Sequence, residues 1–154
     1  MRRRVVGLVV FAGVVGVIGV VHAHEAAKEL PPGPMRDRHE LMEGIGKNAK
    51  IIGDALKAKN SAPIAGAAEE IQASAAKIAA LFPPGSTDPH SRAKPEIWTN
   101  WAKFEAGTKD LGTTAGALAA AAKSGGDVGK AADTMYGTCK SCHDDFRVPE
   151  KKKK

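Results

Sequence analysis

Apolar side chains recur along this chain at alternating steps of three and four, the spacing that gathers them on one helical stripe and forms the seam of a bundle. Four stretches keep that rhythm. The first follows Pro31, Pro32 and Pro34 and runs Met35, Arg38, Met42, Ile45, Ala49, Ile52 and Leu56, with Arg38 its one charged member. The second begins near Ser61, with Pro63 in the first turn where no N–H is needed, and continues through Ile64, Ala68, Ile71, Ala75, Ile78 and Phe82. A longer connection, Pro83 to Lys94, carries Pro83, Pro84, Gly85, Ser86, Asp88 and Pro89, residues that interrupt a helix. The third stretch starts at Pro95, reads Ile97, Trp101, Phe104, Thr108, Leu111, Ala115, Leu118 and Ala122, and stops at Ser124-Gly125-Gly126. The fourth opens on Asp127 as N-cap and reads Val128, Ala132, Met135, Cys139, Cys142 and Phe146 before Pro149.

No stretch alternates with period two, and no hairpin signal separates strand-like runs, so a sheet is not expected. Short links join the first stretch to the second and the third to the fourth, which makes each pair antiparallel neighbours. The expected fold is all-α, an antiparallel up-down four-helix bundle. Its seams are rich in alanine: aromatic residues are 5% of the chain although hydrophobic residues are 43%. Such a core is thin, and a bulky apolar group placed inside it adds stability.

The N-terminus reads differently. Arg2, Arg3 and Arg4 precede an uncharged apolar run from Val5 to Val21, and Val21-His22-Ala23 offers the small residues a signal peptidase requires. Residues 1–23 are therefore read as a secretory leader, residues 24–148 as the domain and residues 149–154 as a basic tail. A retained membrane anchor is the competing reading, since the run is at the short limit for a span. Removing the leader leaves 20 basic residues against 17 acidic ones, a net charge of +3. That small excess gives no case for nucleic acid, and no stable membrane insertion is expected after cleavage.

The chemistry sits near the C-terminus. Cys139-Lys140-Ser141-Cys142-His143 is a C-x-x-C-H sequence, the pattern of c-type haem attachment. On a helix, residues three and four apart share a face, so both sulfurs and the imidazole can reach one macrocycle, the thiols as thioethers and His143 as an axial ligand to iron. Three other readings use the same residues. A dithiol redox pair wants a strand-helix crossover around it, and a zinc site needs a further ligand such as His24, His39 or His90. A structural disulfide has poor geometry within one helix. Export favours the haem reading, because c-type haem is attached outside the cytoplasm.

The C-terminal motif, Arg38-His39-Glu40-Leu41-Met42, Phe82-Pro83, Ala93-Lys94-Pro95-Glu96-Ile97-Trp98, and the run from Cys139 to Arg147 together resemble the class II c-type cytochromes, cytochrome c′ and its low-spin relatives. The resemblance implies that the first helix crosses the distal face of the haem and that the position four after its Arg, here Met42, points at the iron. High-spin members keep a non-coordinating side chain there; low-spin members place a Met that binds. Met42 is accordingly expected as a sixth ligand, with an ordinary core Met as the alternative.

Arg38, a cation on a buried line, needs a partner, which a haem propionate supplies; the alternative is an Arg snorkelling from the bundle end. The resemblance also implies that Arg147, one turn after His143, is a basic residue near the haem, and complementing the helix dipole explains it equally well. His39 is read as a surface residue. Trp98, Trp101 and Phe104 are read as packing, and Tyr136 and Phe146 as haem neighbours or packing.

The leading expectation is a periplasmic mono-haem electron carrier, not an enzyme, ligated by His143 and Met42 and meeting redox partner proteins. Its rival is a five-coordinate cytochrome c′-like protein that binds nitric oxide or carbon monoxide. No distal acid and base arrangement supports a peroxidase. The resemblance further implies a homodimer, for which Ala65, Gly66, Ala68 and Ala76 offer close packing.

Overall fold

A computed structural model of the chain describes residues 30–87 and 91–149. The leader, His24, His90 and residues 150–154 of the tail lie outside the described residues. Five α-helices follow in order: α1 (Pro34–Lys57), α2 (Ile64–Ile78), α3 (Glu96–Thr99), α4 (Trp101–Ser124) and α5 (Val128–Phe146). A 3₁₀ turn, Ala79–Leu81, prolongs α2. The long helices α1, α2, α4 and α5 are the four expected ones.

The third stretch departs from expectation in one respect. It is broken at Asn100, whose φ −121° and ψ 43° are not helical, so α3 is a separate turn ahead of α4. The break sets Ile97 into the core, 2% exposed, while Trp101 at the start of α4 stays 37% exposed. Trp101 is thus a partly solvent-facing residue rather than a full seam member.

Helix ends follow local chemistry. The Asp127 side chain accepts from the Lys130 amide at 2.9 Å and caps α5. Gly125, at φ 73°, takes the left-handed residue that ends α4, and the Gly126 amide returns to Ala121 O at 2.8 Å. At the end of α1 the same closure is made by a residue with a side chain. Lys59 has φ 52°, its amide meets Leu56 O at 3.1 Å, and the Asn60 amide meets Ala55 O at 2.9 Å.

Packing runs α1 on α2, α2 on α4, and α4 on α5. The α2–α4 contact is the tightest because its facing residues are small: Ala68 and Ala115 are fully buried, and a Cβ on Gly112 would lie 3.7 Å from that of Ala75. Ile52, Ile64, Ile71, Ile97, Leu118 and Met135 fill the centre. Ala68 is therefore spent inside the bundle and cannot serve a dimer surface, whereas Gly66 and Ala76 remain exposed.

One end of the bundle is closed by aromatic rings. Phe82 and Phe104 lie 4.9 Å apart, Phe104 and Phe146 5.4 Å, and the Arg38 guanidinium sits 4.2 Å over Phe82. The start of α1 and the end of α5 thus share one end of the molecule, so the two helices are antiparallel.

Candidate functional site

Cys139, Cys142 and His143 lie in the last two turns of α5. Both cysteines are free, half-buried thiols packed against the core, and burial pushes each thiol above its ordinary pKa. Cys142 faces α4: a Cβ on Gly107 would lie 3.8 Å from its sulfur. Beside it α4 and α5 part to leave a groove of about 430 Å³ lined by Lys103, Gly107, Asp110, Thr138, Cys142 and Asp145. His143 is exposed on its outer side. Partial desolvation first, then the charges of Arg147 and Arg92, lower its pKa, while Asp144 acts the other way. The balance favours the neutral imidazole, the form that ligates metal.

The C-terminal end of α5 is strapped in place by the segment that leads into α3. The Lys94 amide donates to Phe146 O at 2.9 Å, and the Val148 amide to Arg92 O at 2.8 Å, forming an isolated antiparallel bridge between Ala93 and Arg147. Lys94 Nζ donates to the Asp144 and Asp145 carbonyls at 2.8 and 3.1 Å, satisfying the orphan acceptors of the last turn. Arg92 donates to Val148 O at 3.0 and 2.7 Å. The strap brings Arg92 near His143.

Across the bundle, α1 offers an apolar wall: Ile45 is buried, and Leu41 and Met42 are half-buried against the core. Register places Met42. The Tyr136 hydroxyl donates to Ala49 O at 2.7 Å, tying the two helices at one level. His143 is seven residues beyond Tyr136, and Met42 seven before Ala49. In antiparallel helices both steps run about 10 Å toward the same end, so Met42 and His143 stand at one height. His39 is exposed, as the sequence implied.

Arg38 is 6% exposed, yet its guanidinium is served by the protein itself. It donates to Leu81 O, to Ser86 Oγ and, at 2.9 Å, to Ser86 O. Leu81 and Ser86, in the chain after α2, thus give it partners of their own. Trp98 Nε1 holds the same chain through Phe82 O and Pro83 O, at 3.2 and 3.0 Å.

Sequence reasoning passed over two residues of this region and gave Lys94 only as part of a resemblance. Gly107 had a signal, since an isolated glycine inside a helical pattern marks a close approach. Arg92 had none, because it acts on a main-chain carbonyl.

The rival readings of the motif fare poorly. Among the described residues there is no strand for a thioredoxin-like crossover, and no group of three or more His, Cys, Asp or Glu is placed to hold a metal ion. The residues do fit a covalently attached haem. Two thiols and an imidazole share one face, Gly107 leaves room beside Cys142, and α1 stays off α5 except where Tyr136 bridges them.

A family model described as Cytochrome C′ matches residues 34–147, from the first residue of α1 to the bridge after α5. The chain belongs to the cytochrome c′ family. A cytochrome c′ from Pararhodospirillum photometricum is 32% identical over 115 residues, 71% of this chain and 92% of that protein. Among solved structures, cytochrome c′ from Thermochromatium tepidum is 31% identical with TM-score 0.70, covering 75% of this chain and 95% of its own. Another cytochrome c′, described as having an unusual ligand-controlled dimer dissociation, is 27% identical with TM-score 0.69, covering 78% and 100%. Cytochrome c′ proteins carry one covalently attached haem c.

Proposed function

We propose that this cytochrome c′ is an exported protein that binds a small diatomic gas, nitric oxide or carbon monoxide, at a haem whose iron is held from the protein side by His143 alone. The observation that carries the reading is the one-sidedness of the donor set. Cys139, Cys142 and His143 sit together on α5, whereas the facing wall of α1 is Leu41, Met42 and Ile45, apolar side chains that exclude water. The haem would supply an iron able to bind the gas. Cys139 and Cys142 would anchor it, His143 would ligate its iron, and Met42 would act as a movable cover over the gas site. The ligand-controlled dimer of one relative supports a protein whose assembly answers to ligand. A homodimer is part of the same reading. No helix among the described residues is long and apolar enough to cross a membrane.

A second reading is the electron carrier with Met42 as sixth ligand, favoured by a thioether at the height of the imidazole. Electron exchange with a partner protein would then be the activity. One residue separates the two. In the gas-binding reading the ferric protein is high-spin with or without Met42, and Met42→Ala speeds carbon monoxide binding by the reduced protein in proportion to gas concentration. A low-spin ferric spectrum that turns high-spin in Met42→Ala, with binding limited by a concentration-independent step, would overturn it in favour of the carrier.

A further inference from the structure

Tyr136 is the one side chain seen to tie α1 to α5 by a hydrogen bond among the described residues, and it does so one turn before Cys139. Its hydroxyl donates at 2.7 Å to Ala49 O, a carbonyl within the continuous α1 helix. The opposing position is glycine: a Cβ on Gly53 would lie 3.4 Å from that hydroxyl, in van der Waals contact with it. Elsewhere each long helix packs backbone against its chain neighbour, but α1 and α5 do not approach in that way. Their separation at this level is therefore set by the length of a tyrosine.

We infer that Tyr136 is a positioning residue that sets the width of the cleft between α1 and α5, and through it how closely Met42 covers the distal side of the haem. Three features support this. The phenol is a rigid ring of two torsions, so a ring with its hydroxyl seated on a main-chain carbonyl fixes distance better than an aliphatic contact does. Its carbonyl partner belongs to the same helix as Met42, seven residues away, so a shift of α1 at Ala49 carries Met42 with it. Gly53 completes the seat of the hydroxyl, because a Cβ there would lie in van der Waals contact with it and a longer side chain would meet it.

The inference rests on the gas-binding reading, in which Met42 is an unbound cover, and its test separates the two. Carbon monoxide association is measured on the haem-loaded, reduced protein for wild type, Tyr136→Phe, Met42→Ala and the double variant, with thermal unfolding followed alongside. Tyr136→Phe keeps the ring and removes the hydrogen bond. It is expected to speed gas association about fivefold, the equilibrium weight of one ordinary hydrogen bond. In the Met42→Ala background the same change is expected to have no effect on the rate, since the cover is already gone.

A Tyr136→Phe protein with lowered melting temperature but unchanged association rate would reduce Tyr136 to a structural contact and overturn the inference. So would an equal rate increase in both Met42 backgrounds. If Met42→Ala instead converts a low-spin iron to high-spin, the gas-binding reading itself is the part that has failed.

Discussion

Arg38 is the residue whose burial costs most and whose partners are best defined. Its guanidinium has left water, which lowers its pKa, and it is stabilised by the Leu81 carbonyl, the Ser86 hydroxyl and carbonyl, and the Phe82 ring. Replacing it with Ala leaves those acceptors without donors and removes the stem packing. Chemical denaturation of Arg38→Ala is expected to show a loss of about 2–4 kcal/mol. A loss below about 0.5 kcal/mol would mean the contacts are replaced by water at no cost. Sequence alone put Arg38 on the buried line but did not show the main-chain carbonyls that meet it. A carbonyl carries no residue signature, so a partner 43 positions away on the main chain leaves no trace in a pattern. The C-x-x-C-H motif was legible for the opposite reason: two thiols and an imidazole at fixed helical spacing are informative as side chains. Tyr136 lies between these cases. Its proximity to the motif was visible, its bond to Ala49 O was not.

The helices themselves were read nearly to their ends, because proline, glycine and an acidic N-cap punctuate them. The exceptions show what periodicity omits. Asn100 interrupts a stretch whose apolar spacing continues unbroken through it, so no spacing rule could separate α3 from α4. At the end of α1 the left-handed closing residue is Lys59, where glycine is usual, and nothing in the sequence marks that strain. Lys59→Gly relieves a crowded Cβ and is expected to raise stability by about 0.5–1 kcal/mol, read as a higher melting temperature. The reverse holds at α5, where Asp127→Ala removes a side-chain acceptor from the Lys130 amide. It is expected to cost about 1 kcal/mol. Both are surface changes far from the haem end, so carbon monoxide binding should be untouched in each. A changed binding rate in either would show that helix ends govern the site.

As a whole molecule the bundle divides its labour. The α2–α4 pair, with Ala68, Ala75 and Ala115 at its contact, provides a tight framework, while α1 and α5 flank the proposed haem site and are tied by the hydrogen bond from Tyr136 to Ala49 O. The alanine-rich seam was legible as a thin core, but Ala68, read as part of a dimer face, packs inside the bundle instead. What it did not foretell was the strap of Arg92 to Lys94 across the end of α5, because hydrogen bonds between main chains at loop positions have no period. Covalent haem attachment is the claim on which site, function and cleft geometry depend, and the intact mass of the exported protein from cells with haem-ligation machinery tests it most directly. The account predicts a coloured protein heavier than the polypeptide by one haem, the addition surviving acid denaturation and disappearing when Cys139 and Cys142 are both changed to Ala. A colourless protein at the mass of the bare chain, made beside a correctly loaded control cytochrome, would contradict it.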